Sequence, residues 1–124
     1  MKVKTSLNLA TTNNAQILID ADQYTNNMTD NPKFAEPYVV AQVVSTKSAA
    51  GGLKTALNSP TADNKSDMIK IQREILDRNL SKLANMVEDI ANDPSTPDAN
   101  RFDIIHSAGM TVRNRSIPPR RQFS

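Results

Sequence analysis

The residue types that most often carry out chemistry are few in this sequence and stand apart from one another. The single histidine, His106, has no second histidine at the spacing of a zinc-binding helix, and a metal site built from it and Asp103 would lack further ligands nearby. Asp93 and Asp98 flank a proline-containing loop where calcium is conceivable, but the EF-hand pattern is missing. We interpret His106 as a residue that packs against a helix or ends one.

The remaining candidates for catalysis also favour a structural interpretation. Acid–base catalysis requires two carboxyl groups that converge across a cleft with shifted pKa values. Asp20 and Asp22, like Glu88 and Asp89, are so close along a helix that their side chains point to different faces. Cysteine is absent, and neither a nucleophile elbow nor a glycine-rich phosphate loop is present. We predict no catalytic residue, no bound metal and no cofactor, and therefore a protein that is not an enzyme.

A basic C-terminal segment is the feature that folding alone does not explain. Residues 1–100 contain ten Lys and Arg against twelve Asp and Glu, whereas residues 101–124 contain five Arg against one Asp. The body is mildly acidic and the tail is basic. We name residues 113–124 the C-terminal arm. Eight of its residues are predicted to bind a partner: Arg113, Arg115, Ile117, Pro118, Pro119, Arg120, Arg121 and Phe123.

Two kinds of partner suit the C-terminal arm. Its arginines would pair with carboxylates while its proline, isoleucine and phenylalanine side chains are buried, so the arm would lie on the acidic body of a neighbouring protein subunit. The alternative partner is nucleic acid, because four arginines would neutralise phosphates and give salt-dependent binding. Only Phe123 is available to stack on bases, and no basic helix face extends the patch. We prefer a protein partner; a solvated arm with no partner is the third interpretation.

The first elements that would support the arm follow from the spacing of apolar residues. Apolar and polar residues alternate over residues 2–9, which predicts an extended segment. A helix is predicted from about residue 13 to residue 28, where Asn31-Pro32 stops it. Its apolar positions step by four, three and four residues and therefore share one face: Ile17, Ala21, Tyr24 and Met28.

A second helix is predicted to open at Glu36-Pro37, because proline is favoured at the first helical position. The β-branched residues within 38–44 would also suit a strand, and this alternative is open. We prefer the helix because the apolar residues continue at helical spacing as far as Leu57. Gly51-Gly52 would then mark a kink, a close contact between helices or an early end of the helix.

The third helix has the strongest pattern, and it is predicted to be capped by Asp63 or Ser66 and to end before Pro94. Its apolar stripe is wide enough to face the core of a bundle: Leu76, Leu80, Leu83, Val87 and Ile90, widened by neighbouring Met and Ile residues.

A short fourth helix is predicted from Asp98 to about Ser107, where it would bury Phe102 and Ile105 and stop at Gly109. Residues 110–113 alternate in polarity, which predicts a second extended segment that pairs with residues 3–7.

Four stretches, taken in order, resemble a small helical domain common in uncharacterised proteins of Bacteroidetes and their phages. They are the turn at residues 28–34, with Met28-Thr29 and Asn31-Pro32, a helix that opens after proline, the segment 71–76, and the segment 106–112. The resemblance covers roughly residues 13 to 119, and the domain often stands before a fibronectin type III domain. It implies a helical bundle with a structural or phage-associated role, and it brings no catalytic residue.

Together these patterns predict an all-α protein, an antiparallel three- to four-helix bundle with short extended N- and C-terminal segments. The expected organisation is a bundle over residues 1–112 followed by the arm over residues 113–124. We expect a non-catalytic assembly subunit of a multi-protein particle, with a phage virion as the preferred particle, in a homo- or hetero-oligomer. No signal peptide and no apolar run of the roughly 20 residues needed to span a membrane are visible, so a virion or cytoplasmic location is expected.

Overall fold

Four α-helices make up most of residues 3–60 and 64–112, the residues that the computed structural model describes. They are α1 (Asn14–Met28), α2 (Pro37–Asn58), α3 (Lys65–Ala91) and α4 (Asp98–Ser107), and they are accompanied by two short strands, β1 (Thr5–Ser6) and β2 (Thr111–Val112). The prediction of an all-α helical bundle with extended segments near both ends is confirmed.

Helix α1 begins and ends through side-chain chemistry that the sequence predicts. The side chain of Asn13 accepts a hydrogen bond from the backbone N–H of Gln16 at 2.8 Å, which satisfies one of the free donors at the start of the helix. After the helix, Asp30 takes a positive φ of 59°. The side chain of Asn31 then accepts from the N–H of Lys33 at 3.0 Å and starts a 3-10 turn.

Helix α2 is unbroken from Pro37 to Asn58, so residues 38–44 are helical and the strand alternative is wrong. The helix also passes through Gly51 and Gly52 without ending. A Cβ atom at position 52 would meet the side chain of Gln72 on α3. Gly52 therefore marks a close contact between helices, one of the three alternatives that the sequence left open.

Helix α3 is the longest helix, and its 27 residues span about 40 Å. Ser66 lies inside its first turn, so the prediction that Ser66 caps the helix is wrong; Asp63 lies outside the described residues. The inward face of α3 forms the centre of the core, with six residues buried: Leu76, Leu80, Leu83, Ala84, Val87 and Ala91.

The three long helices run up and down, with α2 packed against both α1 and α3. Gln42 near the start of α2 donates to the side chain of Asn79 at 2.9 Å, whereas Gly52 further along α2 lies beside Gln72. Positions therefore increase along α2 as they decrease along α3, which makes the two helices antiparallel. Phe34, from the turn after α1, is buried in the same core.

Helix α4 packs on α3 and buries a different face from the one predicted. Ile105 is buried as expected, but Phe102 is 37% exposed, so the prediction that it belongs to the core is wrong. The buried positions are 101, 104, 105 and 108, and the first of them is Arg101. The guanidinium of Arg101 bonds to the carbonyls of Thr96 and Asp93 in the loop between α3 and α4. Phe102, the next residue, lies on the exposed side of the helix.

The end of α4 has the pattern of a Schellman motif. Gly109 has a φ of 81°, its N–H bonds to the carbonyl of His106, and the N–H of Met110 bonds to the carbonyl of Ile105. The predicted helix stop at Gly109 is confirmed. The chain then enters β2, which pairs antiparallel with β1 so that Thr5 faces Val112 and Ser6 faces Thr111, as the alternation in the sequence predicted.

Candidate functional site

The eight residues that the sequence nominates for partner binding lie outside the described residues. Arg113, Arg115, Ile117, Pro118, Pro119, Arg120, Arg121 and Phe123 all fall within 113–124. Their role in binding stays a prediction, and so does the boundary of the arm at residue 113. The described chain reaches Val112, where β2 pairs with β1.

The structure places His106 on the surface, in the last turn of α4, which agrees with its interpretation as a residue near a helix end. Within residues 3–60 and 64–112, no three His, Asp or Glu side chains form a group that would hold a metal ion. In the same ranges, no helix combines the length and the apolar character that crossing a bilayer requires.

The acidic residues that flank the loop between α3 and α4 form local hydrogen bonds and an ion pair. Asp93 accepts from both the hydroxyl and the backbone N–H of Ser95, at 2.6 and 2.9 Å. The hydrogen bond from the Ser95 hydroxyl, and to a smaller extent the bond from its backbone N–H, hold the pKa of the Asp93 carboxyl below its usual range. The charge of Arg101 acts in the same direction. Asp98 pairs with Arg101 at 3.4 Å. The loop carboxylates are therefore engaged in shaping the turn.

Arg101 and Asn92 form a polar cluster where α3 ends. The buried guanidinium of Arg101 donates to the Asn92 side-chain oxygen at 3.2 Å and to the carbonyl of Thr96 at 3.4 Å. The Asn92 amide also bonds to both backbone groups of Val3, at 2.7 and 2.8 Å. No local pattern in the sequence marks this cluster, because its members Val3 and Arg101 are far apart along the chain.

An exposed apolar surface lies along α1 and α2. Val40 is 48% exposed, Val44 is 62% exposed and Ile19 of α1 is 61% exposed. We name the surface formed by these three residues with Lys47, Gly51 and Lys54 the outer α2 face. It is the candidate functional site because several apolar side chains exposed together mark interaction surfaces more often than a single one does.

Helical geometry explains why the outer α2 face is continuous. Its α2 positions step by four, three, four and three residues, which keeps them on one stripe: Val40, Val44, Lys47, Gly51 and Lys54. The buried stripe of the same helix is separate and includes Val39, Val43 and Leu53. Helix α2 thus has a buried apolar stripe and, beside it, an outer stripe on which Val40 and Val44 are exposed.

Two adjoining grooves follow this face between α1 and α2. One, of about 390 Å³, is lined by Val40 and Val44 together with the turn after α1 that contains Phe34. The other, of about 420 Å³, is lined by Ile19 and Gly51. Lys47 lines both grooves, so the two grooves adjoin at this side chain and form a depression along the helix pair.

Charged groups of both signs border the depression. Asp30 lines the first groove, and Asp22 lines the second with Lys54. Apolar side chains and charges of both signs therefore lie side by side along this surface, with Lys47 at its middle. The helical spacing of Val40 and Val44 is visible in the sequence, but spacing alone does not distinguish them from core residues, because the buried stripe and the exposed stripe of α2 interleave.

The fold and this surface together define an all-α helical bundle in which, among the described residues, one helix face exposes apolar side chains. The chain matches no protein-family model, and comparisons with curated proteins and with solved structures find no match either.

Proposed function

We propose that the protein is a non-catalytic structural subunit that assembles with other protein chains into a larger particle, with a phage virion as the preferred particle. The observation that carries this proposal is the outer α2 face, where Val40, Val44 and Ile19 are about half exposed or more. Burying such side chains against a partner contributes roughly 25 cal/mol per Å² of apolar surface. Contact with another chain is therefore a favourable use of this surface.

The fate of the polar side chains supports the same proposal. Glu88, Asn92 and Arg101 hold the N-terminal segment and α4 against α3. Arg73 does the same for the start of α1, donating to Asn14 at 2.9 Å and to the carbonyl of Leu9 at 2.8 Å. These side chains form hydrogen bonds that join separate elements of the bundle, and this stabilising role suits a structural subunit.

The C-terminal arm is the second part of the proposal. Its arginines and apolar residues suit a contact with the acidic surface of a neighbouring subunit. The resemblance of residues 13 to 119 to the helical domain of Bacteroidetes and phage proteins is the basis for preferring a virion. A location in the virion or in the cytoplasm follows from this assembly role.

Deletion of residues 114–124 tests the role of the arm. The truncated chain is expected to keep the helical circular dichroism and the melting temperature of the full chain, while its incorporation into particles, measured by mass spectrometry of purified particles, is lost. Equal stoichiometry of the full and truncated chains in the particle would contradict the role of the arm. A matched control is Lys2→Ala with Lys4→Ala, which removes two positive charges at the other end of the chain.

A titration with labelled duplex and single-stranded DNA at several salt concentrations distinguishes the alternative function. If binding appears at low salt, weakens steeply with added salt and disappears in the Arg120→Ala, Arg121→Ala variant, the arm binds nucleic acid and the assembly proposal is wrong for the arm. If no DNA binding occurs at about 50 mM salt, the nucleic-acid function is eliminated.

A further inference from the structure

We propose that the outer α2 face binds a second copy of this chain, with the two α2 helices packed antiparallel about a two-fold axis. This contact does not involve the C-terminal arm, and it goes beyond the proposed role as an assembly subunit because it names one interface and one partner. Four features of the described residues carry it: the spacing of the face, the glycine within it, its charges and its self-complementary register.

The spacing of the face is that of a helix–helix seam. Positions 40, 44, 47, 51 and 54 follow the alternating four- and three-residue steps of a heptad repeat, in which every member faces a partner helix. Val40 and Val44 supply the apolar part, and Lys47 and Lys54 have long aliphatic stems that pack while their ammonium groups stay in water. The face is therefore shaped to receive one α-helix lying along it.

Gly51 is the second feature, because nothing among the described residues requires a glycine there. A Cβ atom added at Gly51 would meet no atom within 4 Å, in contrast to Gly52, whose Cβ would collide with Gln72. Glycine in the middle of a helix costs about 1 kcal/mol relative to alanine. A partner helix that approaches closely at position 51 accounts for this cost, since small residues allow backbones to come near one another.

The register follows from treating the two helices as a symmetric antiparallel pair. With the two-fold axis between positions 45 and 46, Val40 of one chain lies opposite Gly51 of the other, and Val44 lies opposite the stem of Lys47. The larger valine thus fills the space left by the glycine. Because of the two-fold symmetry, each of these contacts occurs two times in the dimer.

Charge complementarity supports the same register. Lys54 comes to lie opposite the start of the other α2, beside Glu36, the residue that precedes Pro37. Within the described residues, neither Lys54 nor Glu36 forms an ion pair in its own chain. A register with the two-fold axis between positions 50 and 51 would instead bring Lys47 against Lys54 of the other copy, and like charges oppose that arrangement.

Sedimentation equilibrium of the full-length chain over a range of concentrations tests the dimer. The wild type is expected to show a monomer–dimer equilibrium, and Val44→Asp is expected to raise the dissociation constant at least tenfold. Ile71→Asp is the matched control, because Ile71 on α3 is 49% exposed and lies outside the face. A wild-type chain that is monomeric throughout, or an equal effect of Ile71→Asp, would overturn the proposal.

A charge exchange tests the register independently. Lys54→Glu alone and Glu36→Lys alone should each weaken the dimer several-fold, and the double variant should restore it towards the wild-type dissociation constant. Because the chain has no cysteine, Val44→Cys protein mixed with Lys47→Cys protein should also form a disulfide between the two chains under mild oxidation. Failure of both the restoration and the cross-link would overturn the antiparallel register.

These experiments separate the dimer from the assembly function. A chain that is monomeric alone, but whose incorporation into particles is lost in Val44→Asp and kept in Ile71→Asp, would mean that a different protein occupies the face. That outcome overturns the second-copy proposal and leaves the assembly function standing. A dimer that persists in Val44→Asp and is lost in Arg120→Ala with Arg121→Ala would place the self-contact on the arm, which also overturns the proposal.

Discussion

Glu88 of α3 accepts two hydrogen bonds from Thr5, one from its backbone N–H at 2.8 Å and one from its hydroxyl at 2.7 Å. One turn further along the same face, Asn92 bonds to both backbone groups of Val3. Two side chains of a helix thus satisfy backbone groups that a neighbouring strand would otherwise bind. The N-terminal segment is fixed to α3 at points about 6 Å apart, the rise of four residues in an α-helix.

The carboxylate of Glu88 is expected to contribute substantially to stability. Glu88→Ala removes the acceptor of both Thr5 hydrogen bonds and should lower the free energy of unfolding by about 2 kcal/mol, because hydrogen bonds to charged groups are stronger than neutral ones. Urea denaturation followed by circular dichroism measures the change. The neighbouring Asp89→Ala, an exposed position on the same helix, is the control and should change the free energy by about 0.5 kcal/mol or less.

The two large apolar residues predicted to be buried in α4 should respond very differently to truncation. Ile105 is fully buried, so Ile105→Ala should destabilise the fold by about 3 kcal/mol. Phe102 is 37% exposed, so Phe102→Ala should cost about 1 kcal/mol or less, although more atoms are removed. Comparable losses at both positions, measured by chemical denaturation, would show that α4 has a different orientation.

Substitution by alanine should change the stability of the fold in opposite directions at two glycines. Gly109→Ala should destabilise the fold by about 2 kcal/mol, because a φ of 81° is unfavourable for alanine and its Cβ would meet the side chain of Asn27. Gly51→Ala should stabilise the monomer by up to about 1 kcal/mol, since α2 is helical and open at that position. Thermal melts at concentrations below the dimer range give both values, and a loss of stability in Gly51→Ala contradicts the open environment.

The burial of Tyr24 should make stability depend on alkaline pH. Desolvation by burial raises the pKa of the Tyr24 hydroxyl above its usual range, and the charge of Asp20 raises it further. The unfolded chain then ionises at a lower pH than the folded chain, so the stabilisation is full below the ordinary tyrosine range and is lost as pH rises through the folded pKa.

Ultraviolet titration of the Tyr38→Phe variant measures this directly, because the chain has two tyrosines and no tryptophan. Tyr24 should ionise at a higher pH in the folded protein than in denaturant. The alkaline loss of stability should be smaller in Tyr24→Phe. Identical titration curves in the folded and denatured protein would contradict the buried placement of Tyr24.

The helices were largely predictable because their signals are local. Asn13 caps α1, Pro37 opens α2 and Gly109 ends α4, and each acts on residues within one turn of itself. The pairing of residues 5–6 with 111–112 was also anticipated from alternating polarity. In each of these cases, the residues that decide the structure are also the residues that display the pattern.

The outer α2 face and the hydrogen bonds of Arg101 and Asn92 were not predictable in the same way. The sequence predicts that Phe102 is buried, whereas the buried side of α4 contains the guanidinium of Arg101, whose partners lie outside the helix. Val40 and Val44 have the same residue type and spacing as core residues, and only the positions of α1 and α3 leave them outside. Local pattern identifies an apolar stripe, whereas the packing of neighbouring helices decides which stripe is covered.

The pairing of β1 with β2 has a consequence for the order in which the molecule folds. The hydroxyl of Thr111 donates to the carbonyl of Ser6, 105 positions away in the chain, whereas the helices are built from contacts only four residues apart. Closing so long a loop is slow unless the intervening chain is already compact. The strand pair should therefore form after the helices have packed. Its amide hydrogens should also exchange with solvent before those of α3 do, because the last contact to form in folding is the first to break in local unfolding.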